Sequence, residues 1–549
     1  MNNPPVIKYL SAGGQIFCLF LLLVLFLSLV IPLSAILKGL FLAGKGTEGF
    51  NFQVLFRDIA NLACNDSIQK SILNTFLQAA CSTLIAMAVG IPMAFFCAKR
   101  KFPGKRILTG LSSVPLCIPP LILVLAFVRF FGMNGFINKI ISSITGEKEP
   151  ALTFLYSFRG IILLQGFYNF PLIMTNVASL WSRLPTREED AAYLLGKSRI
   201  QVFFSVTLYK ILPGILSSSI LVFLYCFFSF IIVLLLSGVN FSVLEVEIYS
   251  TIRMGLDIQK GCALAILETV IALLFIIFYL RLENKTSGLF GYTEKNTPEK
   301  IKSPGEKIIL ILFLVLIFLF LAGPLFAMIL NGLDFSKGFL VPRIFSNYTS
   351  LFSNHKFYTS LGNTLITGVS TATLSVICAL TYSILIFMLK PSLRQKLKVL
   401  GFLPTAISGV VIGLGWLLLP GAKNITTLIL AQSVVAFPFA FIPVYSSMEK
   451  ISPDILDAAK MLGSSRGEIN VRIIIPIIRK SIFIAWIFAF AVSAGDATLP
   501  IVLGIPGFEN LSLMLYRLSG AYRFGEASAC GLILILITGV PFLIKKEEI

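Results

Sequence analysis

The run QIFCLFLLLVLFLSLVIPLSAIL, from Gln15 to Leu37, is apolar almost throughout and long enough to cross a lipid bilayer. A spanning helix needs about 20 mostly apolar residues, because the hydrocarbon layer is roughly 30 Å thick. Similar runs recur along the 549 residues, of which 56% are hydrophobic and only 13% are charged. The sequence therefore predicts an all-α, polytopic helical membrane protein.

The apolar runs, separated by turn-forming and charged residues, predict about twelve spans in two sets of six. The first set lies near 14–38, 71–98, 107–131, 158–181, 212–237 and 262–281. The second set lies near 308–331, 360–389, 397–419, 425–448, 480–503 and 526–544. The apolar core of the first run is too long for a signal peptide, so we expect it to remain as an anchor.

Lysine and arginine are concentrated in alternate loops, which accounts for much of the net charge of +19. Because basic loops stay on the cytoplasmic side of a membrane, this alternation places both termini in the cytoplasm. The basic residues are not interleaved with aromatic residues as on a nucleic-acid surface, so we expect membrane lipid and no nucleic acid as a partner. Nine cysteines without a C-x-x-C pair and a single histidine, His355, indicate neither a metal site nor a catalytic centre.

The two halves of the sequence repeat each other. Gln165 and Gln432, like many other matched residues, stand 267 positions apart, and upstream pairs such as Asn74 and Asn363 stand 289 apart. Because the two offsets differ, the first half must contain additional residues, and these lie around 132–156. We therefore predict a first repeat over 1–283, a linker over 284–307 and a second repeat over 308–549, parallel in the membrane.

A short motif occurs once in each half, after the fourth predicted span. Residues 189–196 read EDAAYLLG, and residues 456–463 read LDAAKMLG. Since helix positions three and four apart share a face, Asp190, Ala191, Leu194 and Leu195 can form a compact surface before the glycine turns the chain. We predict short helices over 186–196 and 453–463 that act as knobs for a partner. An ordinary amphipathic surface helix capped by glycine is the alternative.

The repeated motif resembles the E-A-A-x-x-x-G-x9-I-x-L-P signature of type I ABC importer permeases of the bacterial inner membrane. This resemblance implies a MetI-like transmembrane fold, no enzymatic activity in this chain, and docking of two copies of a separate ABC ATPase that binds ATP and Mg²⁺. Tyr209 stands where the first copy of the signature would have proline. The residues that match are Glu189, Asp190, Ala191, Ala192, Gly196, Asp457, Ala458, Ala459, Gly463 and Pro476.

The segments 237–249 and 504–516 resemble those of fused two-copy permeases for thiamine and ferric iron. The resemblance implies a periplasmic or lipid-anchored solute-binding protein as a partner, with Tyr249 and Tyr516 as candidate docking residues. Tyrosines at the membrane interface can equally be belt residues. The implied solute is thiamine, ferric iron or a similar small solute.

Polar side chains within the spans are candidates for the solute pathway, because a charge in the bilayer is costly. Two of them are acidic, which suits a cationic solute, although a carboxylate paired locally would look the same. The pathway candidates are Gln165, Ser229, Glu268, Gln432 and Asp496. A secondary transporter driven by an ion gradient also has twelve spans, but it has no need for matched ATPase-docking loops.

Overall fold

The computed structural model describes residues 12–42, 65–110, 118–147, 149–184, 187–238, 241–287, 298–301, 303–333, 344–387 and 389–544, and most of these residues are helical. The helices of the first half are α1 (Ala12–Leu42), α2 (Asp66–Lys99), α3 (Lys105–Gly110), α4 (Pro120–Phe131), α5 (Phe136–Thr145), α6 (Phe158–Trp181), α7 (Arg187–Leu194), α8 (Arg199–Val202), α9 (Leu208–Phe227), α10 (Phe230–Leu236), α11 (Leu244–Arg253) and α12 (Ile258–Ser287).

The second half repeats this order. Its helices are α13 (Pro304–Ile317), α14 (Gly323–Gly332), α15 (Ser346–Phe352), α16 (His355–Phe387), α17 (Pro391–Phe402), α18 (Gly409–Leu417), α19 (Ile425–Met448), α20 (Pro453–Met461), α21 (Arg466–Glu468), α22 (Ile475–Gly495), α23 (Thr498–Leu503), α24 (Leu511–Gly520) and α25 (Phe524–Ile544). Two-residue strands, β1 (Arg100–Lys101) and β2 (Glu299–Lys300), pair in parallel. Short 3-10 turns lie at Phe154–Tyr156 and Leu403–Ala406, and π-helical segments at Phe203–Thr207, Phe318–Ala322 and Ile469–Ile474.

Within the described residues, ten helical runs are long and apolar enough to span a membrane. They are Ile16–Leu40, Asp66–Lys99, Pro120–Thr145, Phe158–Trp181, Arg199–Phe227, Ile258–Leu282, Pro304–Gly332, His355–Phe387, Ile425–Met448 and Ile469–Gly495. An eleventh, Ser392–Ala406 with Gly409–Leu417, is bent by 76° at its break, and a further apolar helix, Phe524–Gly539, is shorter. The all-α polytopic fold is confirmed.

The structure interrupts three spans that the sequence predicted as continuous. The predicted span at 212–237 breaks between α9 and α10, the one at 480–503 between α22 and α23, and the one at 397–419 between α17 and α18. Hydropathy averaged over a window does not register a break of one or two residues. At the third break, Ser408 caps α18 by accepting a hydrogen bond from the Val411 N–H at 3.2 Å.

The two repeats attach an amphipathic helix in the same way. In the first repeat, Thr75 Oγ1 accepts a hydrogen bond from the Leu244 N–H at 2.9 Å, which fixes the start of α11. In the second repeat, Thr364 Oγ1 accepts one from the Leu511 N–H at 2.8 Å, which fixes the start of α24. The neighbouring asparagines add matched bonds, Asn74 Nδ2 to the Ser242 carbonyl at 3.1 Å and Asn363 Nδ2 to the Glu509 carbonyl at 2.9 Å.

The chain forms two compact units that do not coincide with the two sequence repeats. The first-repeat unit comprises Gly44–Leu351 and Arg517–Leu532, and the second-repeat unit comprises Met1–Ala43, Phe352–Tyr516 and Ile533–Ile549. In the second-repeat unit, α1 packs on α16, α18 and α19. Its approach to α18 is so close that a Cβ on Gly415 would lie 2.6 Å from the Pro32 side chain. In the first-repeat unit, α14 packs on α4. Each unit thus contains the first helix of the other repeat.

Candidate coupling and pathway sites

The short helices α7 and α20 end in the same left-handed turn. Gly196 has a φ of 80° and Gly463 a φ of 79°, in a region that favours glycine because it has no Cβ. The bonds that close α7 are Leu195 N–H to the Ala191 carbonyl (3.1 Å) and Lys197 N–H to the Ala192 carbonyl (3.2 Å). The bonds that close α20 are Leu462 N–H to the Ala458 carbonyl (3.1 Å) and Ser464 N–H to the Ala459 carbonyl (3.1 Å). We call residues 187–196 and 453–463 the two coupling loops.

Each coupling loop buries one small residue and exposes two large apolar side chains almost fully at its tip. Ala192 and Ala459 are both 6% exposed. The exposed fractions at the tips are 89% for Leu194, 82% for Leu195, 89% for Met461 and 86% for Leu462. The motif residues Asp190, Ala191, Asp457 and Ala458 are also exposed. Paired apolar tips are typical of an interaction surface. The motif identified Leu194 and Leu195 as part of the surface but did not identify Met461 and Leu462. The offset of 267 residues between the repeats could have identified these two as their equivalents.

The two loops are attached differently. Glu189 accepts hydrogen bonds from Lys99 Nζ at 2.9 Å and from Thr207 Oγ1 at 2.8 Å. The ion pair is largely sheltered, with side-chain exposures of 16% and 15% for the lysine and the glutamate. In the second repeat, the equivalent positions hold Leu456, which is half-buried, and Ile474, which is buried. An ion pair therefore anchors the first loop where the second has apolar side chains.

The end of the predicted linker lies beside the first coupling loop. Arg100, directly after α2, donates to both carboxylate oxygens of Glu306 in α13, at 2.9 and 3.0 Å. Such a forked contact is the strongest geometry for an arginine and a carboxylate, and this hydrogen bonding raises the pKa of Arg100. Arg199 of α8 lies 3.9 Å from the same carboxylate. These contacts connect the end of the linker to residues that flank the first coupling loop.

A π-helical segment follows each coupling loop and leads into a spanning helix. It covers Phe203–Thr207 in the first repeat and Ile469–Ile474 in the second. Pro476 lies in the first turn of α22, where its missing N–H is tolerated. Tyr209 is the equivalent residue of α9 and is 79% exposed. Because the same π segment forms without the proline, this departure from the signature leaves the local backbone unchanged.

Of the three predicted pathway residues in the first repeat, the structure brings Gln165 and Ser229 together at the break between α9 and α10, whereas Glu268 lies apart from them. Gln165 Nε2 donates to Ser229 Oγ at 2.6 Å. Its carbonyl oxygen accepts hydrogen bonds from Gln78 Nε2 at 2.5 Å and Ser82 Oγ at 3.0 Å. All four side chains are buried. They form a buried, hydrogen-bonded polar cluster within the helix bundle.

The second repeat has an equivalent cluster at the break between α22 and α23. Gln432 Nε2 donates to Asp496 Oδ2 at 3.2 Å, and its carbonyl oxygen accepts a hydrogen bond from Ser493 Oγ at 2.8 Å. The glutamines and the two break residues occupy matched positions, so one repeat presents a hydroxyl where the other presents a carboxylate.

Asp496 also caps a helix. Its Oδ1 accepts hydrogen bonds from the backbone N–H groups of Thr498 at 2.9 Å and Leu499 at 3.4 Å, in the first turn of α23. A carboxylate at a helix start satisfies N–H groups that have no partner within the helix. The local role that the sequence left open is therefore present in the structure.

Glu268 is enclosed within the first-repeat unit. It is fully buried in α12, and neither carboxylate oxygen has a hydrogen-bond partner. Glu245, in the first turn of α11, which packs on α12, is also buried. The matched residues of the second repeat are Ser512 and Ile535, so this acidic pair occurs in one repeat only.

The tyrosines predicted to dock a binding protein lie on α11 and α24. Both Tyr249 and Tyr516 are half-buried. The Tyr249 ring packs edge-on against Phe230 of α10, with centroids 5.1 Å apart. Among the residues that the structure describes, no group of three or more His, Cys, Asp or Glu side chains is placed to hold a metal ion.

Comparison with known proteins supports the reading of the repeated motif. Residues 90–288 match the profile of the family described as "Binding-protein-dependent transport system inner membrane component". The chain is 26% identical to the thiamine transport system permease protein ThiP of Brucella abortus (strain 2308), over 84% of each sequence. It is 24% identical to the Fe(3+)-transport system permease protein FbpB 2 of Haemophilus influenzae, over 86% of this chain and 89% of the relative.

A solved structure also shows similarity, that of a bacterial ABC transporter involved in the import of the acidic polysaccharide alginate. One of its chains is 17% identical, with a TM-score of 0.37, and the match covers 44% of this chain and 93% of that one. The family segment at 90–288 contains the first coupling loop, and the two relatives are similar over most of both repeats. The description of the matched family names a dependence on a binding protein. The chain is thus a multi-pass helical protein with two repeats in one polypeptide, and over most of both repeats it is similar to permease subunits of binding-protein-dependent transport systems.

Proposed function

We propose that this chain forms the translocation pathway of its importer and docks one ATPase subunit at each coupling loop. Those separate subunits bind ATP with Mg²⁺ and hydrolyse the ATP. The sequence Gly196-Lys197-Ser198 mimics the end of a phosphate-binding loop, but Ala191 stands where such a loop needs glycine. The observation that carries the proposal is the matched geometry of the two loops, which presents the same backbone turn and the same apolar tip twice.

The loops are suited to transmit movement of the ATPase into the membrane. The exposed tip enters a socket on the ATPase, while the buried Ala192 or Ala459 lets the short helix lie close to the rest of the permease. Each loop continues through its π segment into a spanning helix that breaks at Ser229 or Asp496. Because a helix is stiff along its axis, a displacement of the loop is passed to the polar cluster at that break.

The ATPase side is the cytoplasmic side, in agreement with the basic loops, so both termini lie in the cytoplasm. The opposite face meets a periplasmic or lipid-anchored solute-binding protein, with Tyr249 and Tyr516 near the contact. The half-burial of both tyrosines favours a supporting role beneath that surface.

The transported solute is thiamine, ferric iron or a similar small solute, as the names of the relatives suggest. Gln165, Ser229, Gln432 and Asp496 are the pathway residues with the best support, because they meet at the two breaks where the spanning helices change direction. Asp496 attracts a cationic solute by Coulomb interaction in a low-dielectric site. Glu268 acts from a more remote, enclosed position.

Docking is tested by replacing Gly196 or Gly463 with valine. A Cβ is strained at these φ angles, so the turn behind the tip must rearrange. We expect normal insertion but reduced capture of the importer's ATPase by the purified permease. Gly421→Val is the matched control, since Gly421 also has a positive φ of 75° and open space around it but lies outside the loops. Undiminished ATPase capture and uptake by both loop variants would overturn the proposal.

A further inference from the structure

A cavity in the first-repeat unit contains a charge that the proposed function does not use. The cavity has a volume of about 540 Å³ and lies between the end of α4 and the segment that joins α24 to α25. Apolar residues such as Leu121, Val124 and Leu235 line one part of it. Its polar lining includes Arg129, Tyr156 and Tyr522. The volume is within the range of sites for small organic molecules.

Arg129 has no acidic partner among the residues that the structure describes. Its Nη2 donates a hydrogen bond to Asn331 Oδ1, and its guanidinium carbon lies 5.4 Å from the centre of the Phe524 ring. Nε, which is buried, has no acceptor. The acid nearest in sequence to Phe524, Glu526, is already paired with Arg523 at 2.6 Å. A charge within a spanning segment is costly unless it is compensated, so an uncompensated arginine indicates a missing anion.

The arginine is also held in position before any ligand arrives. The Asn331 amide donates to the Phe524 carbonyl at 3.0 Å and to Ser528 Oγ at 2.8 Å, so its oxygen is left to face the guanidinium. A guanidinium fixed in this way loses little conformational freedom on binding.

The rim of the cavity shows further signs of a built site. Tyr522 adopts a φ of 59°, which is unusual for a residue with a Cβ, and its ring is 82% exposed. Backbone strain of this kind is typically retained where a side chain has to be presented in a particular direction. The residue equivalent to Arg129 in the second repeat is Leu418, so the charge belongs to one repeat only.

We propose that this cavity binds an anionic group, a phosphate or carboxylate, that is carried on an apolar or aromatic body. Arg129 binds the anion through its free N–H groups, because a planar guanidinium matches two oxygens of such a group. The apolar wall and the tyrosine rings contact the remainder of the ligand. The anion comes either from a soluble organic phosphate or from a phospholipid head group. The inference goes beyond the proposed function, because it requires neither the ATPase nor transport.

The test uses the purified full-length permease without its partners. Phenyl phosphate is the soluble probe, and calorimetry measures its binding; phenol is the uncharged control. We expect saturable binding of phenyl phosphate only, weakened roughly tenfold or more by Arg129→Gln and less by Arg129→Lys, since a charged hydrogen bond is lost. Arg159→Gln, which changes an exposed arginine outside the cavity, should bind like the original protein.

The lipid source is tested in nanodiscs of phosphatidylglycerol or phosphatidylcholine, followed by native mass spectrometry. Retention of phosphatidylglycerol that depends on Arg129 assigns the site to a lipid, and binding of phenyl phosphate alone assigns it to a soluble ester. Arg129→Gln should melt no lower than the original protein, because it removes an unpaired charge. If neither probe binds, or if Arg129→Gln binds both unchanged, the proposal is wrong.

Discussion

The coupling loop of the first repeat and that of the second share a backbone and differ in their attachment. Both end in a left-handed glycine with matched hydrogen bonds, and both expose a pair of large apolar tips. The first is anchored by Glu189, Lys99 and Thr207, whereas the second has Leu456 and Ile474 at two of these places. The two repeats therefore present the same surface to a partner, although different contacts attach that surface to the rest of each repeat.

The largest expected effect comes from the tips. Leu194→Asp with Leu195→Asp, or Met461→Asp with Leu462→Asp, should each reduce ATP-driven uptake in proteoliposomes by more than about tenfold, because each buried apolar side chain contributes roughly 2 kcal/mol to docking. Folding should be unaffected, since all four side chains are exposed. Ile144→Asp with Met254→Asp is the matched control, because these side chains are also highly exposed and lie outside the loops. A large loss from one pair only would break the equivalence of the loops.

The next effect separates the two attachments. Glu189→Ala removes the partner of a sheltered lysine and should destabilise the first loop by about 1.5–3 kcal/mol. Leu456→Ala should destabilise the second loop by a similar or smaller amount, and only the first loop should respond to salt. Hydrogen exchange of the two loops, measured by mass spectrometry at low and high salt, tests this.

A variant that transplants the attachment sharpens the same comparison. Lys99→Met, Glu189→Leu and Thr207→Ile together give the first repeat the side chains found at 388, 456 and 474. In this triple variant we expect the first loop to exchange hydrogen more slowly than in Glu189→Ala, at a rate close to that of the original protein. We also expect that rate not to depend on salt. Exchange as fast as in Glu189→Ala would show that the ion pair has a role that apolar contacts cannot replace.

The third prediction concerns the two breaks. Asp496→Asn keeps an oxygen that can cap α23 but removes the charge, so thermal stability should be preserved while uptake falls several-fold. Asp496→Ala should lower both, because loss of the cap costs about 1 kcal/mol. Ser229→Ala, the matched change in the first repeat, should affect uptake less. Uptake and melting temperature measured on the same preparation distinguish these outcomes, and unchanged uptake in Asp496→Asn would remove this residue from the pathway.

The smallest difference between the repeats is expected at the threonines that fix α11 and α24, where the repeats are most alike. Thr75→Val and Thr364→Val each remove the acceptor for one buried N–H and should each lower stability by about 1–2 kcal/mol. The two losses should be equal, because the bonds have the same geometry. Thr83→Val is the control, since the Thr83 hydroxyl bonds only within its own helix. Chemical or thermal unfolding of the three variants measures the difference, and clearly unequal losses would contradict the symmetry of α11 and α24.

Much of this organisation could be predicted from the sequence. The offset between Gln165 and Gln432 identified two residues that occupy equivalent clusters, and it paired Ser229 with Asp496 at equivalent breaks. The backbone geometry of a local motif can be predicted from the sequence because it depends on residues that are close together in the chain. Gly196 and Gly463 are examples, since a positive φ after a short helix is a local requirement.

Long-range packing could not be predicted in this way. Apolar side chains face both lipid and other helices in a membrane protein, so hydropathy did not indicate that α1 packs on the helices of the second repeat. Breaks of one or two residues at Ser229 and Asp496 disappear in an average over a span. Arg129 lies within the predicted third span, and its charge was the available signal, but only the structure shows that it has no acidic partner among the described residues.

The most direct test of the central claim is the number of ATPase subunits bound to one permease chain, measured by native mass spectrometry of the purified complex. The account predicts two ATPase subunits per original chain, one after Leu194→Asp with Leu195→Asp, one after Met461→Asp with Leu462→Asp, and none when all four changes are combined. A complex that needs two permease chains to hold two ATPase subunits, or one that keeps both subunits when all four tips are changed, would contradict it.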